Sequence, residues 1–218
     1  MKKFILVAIM AIMGLQSQAQ IVSSRSAMIQ QEEKRGWNTL AFEYLPTTFS
    51  PNLTGWSANM HGFAFTWMNA ISLTPKVPIY LEPGVGLEFL HSTNKLTSSV
   101  DMNYNMFSVK IPLNFIYNFQ IPNTRINIAP YAGLRFRINA IGEFSFDGYS
   151  KGKDKYNAFD KDDMGKDNTF NRFNMGWQIG AKFRFAKFFL GVAYGTDFNE
   201  LSDKNTLGEG QFSIGVAF

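Results

Sequence analysis

Residues 107–119 read FSVKIPLNFIYNF, in which every odd position (Phe107, Val109, Ile111, Leu113, Phe115, Tyr117, Phe119) is apolar and the positions between are mostly polar, Lys110 among them. Alternation of this length belongs to a β-strand, whose successive side chains point to opposite faces, and no helical period reproduces it. One face must meet an apolar medium while the other hosts an ammonium group. Period-two alternation recurs along the chain and predicts strands at about 37–46, 58–72, 77–91, 103–119, 124–141, 172–185, 187–197 and 210–218.

The connections alternate as well. Those around 74–76, 120–123 and 186–187 are short, whereas 46–57, 91–102, 146–171 and 197–210 are long and polar. An even number of strands with short turns at one end and long loops at the other is the layout of an outer-membrane barrel with periplasmic termini. The fold expected is therefore all-β: an eight-stranded antiparallel up-and-down transmembrane barrel over 37–218, preceded by a 20–36 periplasmic segment and a cleaved signal peptide at 1–19. In that signal, Lys2 and Lys3 precede an apolar core from Phe4 to about Leu15 and small residues at Ser17 and Ala19. The core is too short to span a bilayer as a helix, which takes about 20 residues. With no cysteine there is neither a disulfide framework nor a lipidated N-terminal Cys. The 22 phenylalanines suit strands that meet lipid. The formal charge of +4 counts two lysines that leave with the signal, and the remaining bases are scattered, so a nucleic-acid partner is not expected.

The polar face of these strands carries Glu43, Glu82, Glu88, Lys110, Arg135, Arg137, Arg172, Lys182, Arg184 and Asp197, together with nearly every strand glycine. An eight-stranded barrel is only wide enough for side chains to fill its interior. Glycines there make room for long basic side chains, and acids opposite bases offset the cost of desolvation. The expectation is a plugged lumen with a charge network; the competing reading, charges facing water on one side of a soluble sheet, requires the two faces to be exchanged. Pro83, Pro112 and Pro130 fit a closed barrel badly, because none of its strands has a free edge. Counting from the 120–123 turn places Pro112 nearly opposite Pro130, which suggests a shared bulge.

Candidate chemistry is sparse. His61 and His91 should lie opposite one another at the extracellular rim, in the apolar phase, without a carboxylate or thiol to complete a metal set; rings at headgroup level explain them. Ser92 and Asp101 near His91 could only by coincidence form a hydrolase triad. In 160–171, Asp160, Asp162 and Gly165 match three places of a calcium loop, but Met164 and Asn171 stand where ligands belong. No catalytic residue, metal or cofactor is expected, and function is expected to reside in the long loops. The 146–171 loop, with Tyr149, Tyr156 and Phe159 among many charges, is the first candidate for binding a protein, a polysaccharide or a neighbouring barrel.

The signal ending SQAQ, the strand pair GWQIGAKFRFAKFFLGVAYG (176–195) and the terminal QFSIGVAF resemble the small outer-membrane barrels of Bacteroidetes-type bacteria called PorT-like. The resemblance implies that Phe218, preceded by Val216, Ile214 and Phe212, is a C-terminal signal read by the barrel-assembly machinery. It brings no catalytic residues. Some members of the group are linked to secretion and gliding machinery, so an accessory secretion barrel, a small-solute channel and, more remotely, an outer-membrane enzyme are the alternatives to a structural or binding protein.

Overall fold

The computed structural model describes residues 36–51, 58–75, 77–97, 100–122, 124–147, 155–165, 169–202 and 205–218. The expected signal peptide and most of the 20–36 segment lie outside these residues, as does Tyr149.

Eight long strands form one closed antiparallel ring: β1 (Gly36–Pro51), β2 (Ala58–Ser72), β3 (Ile79–Thr97), β4 (Val100–Tyr117), β6 (Ile126–Asp147), β8 (Phe173–Phe185), β9 (Phe188–Asp197) and β10 (Asn205–Ala217). Two short strands, β5 (Phe119–Gln120) and β7 (Lys155–Asn157), pair with β6, and a single helical turn, α1 (Lys161–Met164), follows β7. Each long strand pairs with its neighbour in sequence, and β1 closes on β10 with Phe42 opposite Ile214 and Thr39 opposite Ala217. The seam is fastened by a reciprocal pair of bonds, Asn38 N–H to Phe218 O at 2.8 Å and Phe218 N–H to Asn38 O at 2.9 Å.

The strands outrun the alternation that reveals them. β3 and β4 remain paired up to Thr97 opposite Val100, so most of the 91–102 connection is ladder, and β10 begins at Asn205 instead of 210. Beyond His91 the outward side chains turn polar (Thr93, Asn103, Asn105, Asp147), which ends the hydrophobic signal while backbone pairing continues.

The prolines occupy gaps in the ladder. Across β2–β3 pairing stops at Met68 opposite Gly84 and resumes at Ile71 opposite Leu81, which skips Pro83. Across β3–β4 it jumps from Pro83 opposite Leu113 to Gly86 opposite Lys110, which skips Pro112. Pro130 falls just past the end of the β4–β6 ladder. Each proline thus stands at a break or an end of one of its two ladders, where no N–H is called on. The expected juxtaposition of Pro112 with Pro130 does not occur: Pro112 faces Arg135 and Pro130 faces Ala181. The bulge lies higher, where Phe107 pairs with Ile141 and Ser108 with Asn139, leaving Ala140 as the extra residue.

The barrel is apolar outside and polar within. Phe42, Phe65, Leu87, Phe115, Ile179, Phe183, Leu190 and Phe212 all stand exposed on the outer wall. The interior has three tiers. At the long-loop end Leu45, Leu90, Tyr104, Met106, Phe170 and Leu207 make an apolar cap. Buried charges fill the middle, and Tyr80, Ile116, Tyr131 and the half-buried Trp37 close the short-turn end. Inward glycines give the charges room: a Cβ on Gly176 would stand 2.9 Å from Asp197 Oδ1.

Candidate functional site

The middle tier is built by opposite walls. Lys110 on β4 crosses to Glu43 on β1 at 2.8 Å and also donates to Gln211 Oε1 at 3.3 Å. Arg135 on β6 meets Asp197 at 3.0 Å and Glu209 at 2.9 Å. Arg137, two residues along the same inward face, meets Glu88 at 2.7 Å, Asp197 at 3.2 Å and the second oxygen of Glu209. Nearer the short turns Lys182 pairs with Glu82 at 2.6 Å, and Glu82 accepts from Asn114 at 3.2 Å, whose own carbonyl accepts from Gln178 at 2.6 Å. The carboxylates Glu43, Glu82, Glu88, Asp197 and Glu209 stand against Lys110, Arg135, Arg137 and Lys182, all buried. A nearly balanced, mutually paired set offers no single-sign lining for a passing ion.

Eight of the ten residues expected in the lumen, Glu43, Glu82, Glu88, Lys110, Arg135, Arg137, Lys182 and Asp197, are brought together here. Arg172 and Arg184 are not. Arg172 is exposed at the long-loop rim, where Nη1 donates to Ala140 O at 3.1 Å and the guanidinium lies 4.4 Å from the Phe159 ring centroid. Arg184 stacks 4.5 Å from the Trp37 ring centroid at the short-turn mouth. Both lie at strand ends, where the inward phase no longer leads into the closed lumen. Glu209, which touches three bases, was not in the expected set: placing the start of the last strand at 210 excluded it by one residue.

The candidate loop residues part company. Tyr156 sits on β7 in edge-to-face contact with Phe146, centroids 5.6 Å apart. Phe159, half-buried, packs against the internal cap. Nearby, Lys155 Nζ bonds Glu143 at 2.7 Å, which raises the ammonium above its ordinary pKa. Asp160 accepts from Asp162 N–H at 2.9 Å and Asp163 from Asn157 N–H at 2.9 Å, so these aspartates serve local backbone donors.

His61 pairs with His91 in register on the outer face. Tyr44 OH meets His61 Nδ1 at 2.7 Å, and His91 Nδ1 meets Asn105 Oδ1 at 2.7 Å. Ser92 lies on the opposite face from His91, buried, and donates to Asn59 O at 3.1 Å. Thr93 Oγ1 comes within 3.2 Å of His91 Nε2 but donates to Asn103 Oδ1 at 2.7 Å, and that amide is oriented by its own bond to Asp147 at 2.7 Å. A hydroxyl has one proton, so none is directed at the imidazole. Phe212, Ile214, Val216 and Phe218 line up along the outer wall of β10 beside the seam.

An apolar outer wall closed around paired charges defines a membrane-spanning β-barrel of the outer-membrane type. The profile of the outer membrane protein beta-barrel domain family matches residues 56–203, and the chain belongs to that family. No protein of curated function matches it in sequence. Among solved structures it is similar to Ail, the attachment invasion locus protein of Yersinia pestis, at 13% identity and a TM-score of 0.48, covering 84% of this chain and 99% of that one. It is also similar to Neisserial surface protein A, at 14% identity and 0.47, covering 83% and 97%, and to the outer membrane enzyme PagL, at 16% and 0.42, covering 81% and 97%.

Proposed function

We propose that this barrel is a non-enzymatic anchor of the PorT-like, Bacteroidetes type, with both termini and the short turns in the periplasm. Its long-loop end stands outside the cell as a binding surface for a protein, a polysaccharide or a neighbouring barrel. The observation that carries this reading is the filling of the lumen by cap, ion pairs and aromatic tier, which leaves the long-loop end as the place where polar chemistry meets solvent. An epitope inserted at 148–154 should be labelled by antibody on intact cells; labelling only after the outer membrane is opened would reverse the orientation. The insertion point avoids Ala158 and Phe170, which belong to the cap. In a planar bilayer the purified barrel should pass no steady current, and sustained conductance would favour the small-solute channel instead.

Phe218 serves in this reading as the terminal aromatic read by the assembly machinery. Phe218→Ala should lower the amount of barrel in the outer membrane several-fold, with little change in the stability of the molecules that do fold, since the side chain is 61% exposed. Unchanged outer-membrane levels would remove that role.

A further inference from the structure

The bulge at Ala140 leaves a flaw in the barrel wall. Below it β6 pairs with β8 as far as Ile138 opposite Phe173, and above it β6 pairs with β7 from Glu143 opposite Asn157. Between these ladders lies a cavity of about 330 Å³, bordered by Ala140, Ile141, Glu143, Lys155, Asp163 and Arg172. Ile141 and Phe173, 59% and 53% exposed, belong to the apolar outer wall beside it, while the Glu143–Lys155 pair marks its polar lip. The cavity therefore lies where the lipid-facing band gives way to polar surface.

Arg172 is the group here whose charge no described residue answers. None of the ion pairs among the described residues includes it. Its Nη1 is occupied by the carbonyl oxygens of Asn139 and Ala140, and its plane is held against Phe159. A guanidinium fixed by stacking presents its remaining donors as a preset fork, which suits the oxygens of a phosphate.

From this geometry we infer that the notch seats one membrane lipid with a phosphate headgroup. The phosphate lies on the Nε and Nη2 edge of Arg172 within reach of Lys155, and an acyl chain runs down the wall past Ile141 and Phe173. The carboxylate of Glu143 at the same cavity suits a headgroup that also carries an amine. The inference goes beyond the loop-binding reading and does not depend on what the loops hold.

The test uses native mass spectrometry of the folded full-length barrel released from detergent micelles after addition of phosphatidylethanolamine. The parent should retain one lipid, and diacylglycerol with the same chains should not be retained. Arg172→Gln should weaken retention about tenfold, the consequence of losing roughly 1.4 kcal/mol of charge-assisted bonding. Ala140→Phe, which fills the notch and leaves every charge in place, should do the same and carries the test if Arg172→Gln fails to fold. Lys187→Gln, at the short-turn end, should leave retention as it is. Equal retention by the parent and both notch variants would overturn the inference, as would equal retention of diacylglycerol. Equally strong binding of soluble glycerophosphoethanolamine would overturn the membrane as the source of the ligand.

Discussion

Glu209→Leu is expected to lower the urea midpoint of the folded barrel by an amount equivalent to about 3–5 kcal/mol, the usual cost of removing one partner from a buried ion pair. Glu209 contacts Lys110, Arg135 and Arg137, and its side chain is buried. Deleting it leaves Arg137 dependent on Glu88 and Asp197 and leaves Arg135 with Asp197 alone. The loss should be read from heat-modifiable gel migration across a urea series. Adding Arg137→Met to the same chain should deepen the loss, because it leaves the buried Glu88 without the base it pairs with. A loss under about 1 kcal/mol would mean that water solvates these charges and that the plug is wet.

Leu87→Arg, on β3, tests the outer face of the wall and should cost about 2–4 kcal/mol, the penalty for a base on the lipid side of a barrel near mid-membrane. Leu87 lies between Gly86 and Glu88, at the level where Lys110 and Arg137 face each other inside. It is 53% exposed to the surroundings, so in a water-soluble sheet the same substitution would change stability by no more than about 0.5 kcal/mol. Denaturation in detergent or bilayer therefore distinguishes a barrel that is apolar outside from one with its faces exchanged.

Alternation made the ring legible because pleating obliges every second residue to answer to one environment, and in a closed barrel the two environments differ along the whole span. The signal faded where that difference ends. Beyond His91 the outward residues Thr93, Asn103 and Asp147 are polar while Tyr104, Met106 and Phe144 inside are apolar, so the alternation changes phase and the lipid-facing pattern stops short of the upper ladders of β3, β4 and β6. Glu209 disappeared for the same reason, since Asn205, Thr206 and Gly208 before it do not alternate. Arg172 and Arg184 have the inward phase of their neighbours, and only the height of the lumen decides that they end at its mouths. The notch could not be read at all. It depends on one extra residue, Ala140, in a run where INAIGEF still reads as strand.

The position of Glu209 on the last strand bears on how the molecule completes itself. Arg135 and Arg137 are carried by β6; Asp197 on β9 touches both, and the second carboxylate that does so arrives on β10, whose other edge bonds β1 at the far end of the chain's fold. Until that strand docks, an open sheet holds these bases short of one of their carboxylate partners and leaves Asn38 without the main-chain partner that Phe218 provides. Joining the two edges thus completes the ion-pair network and a backbone ladder in one event. The final strand works as a latch, holding the wall from inside by electrostatics and along the seam by hydrogen bonds.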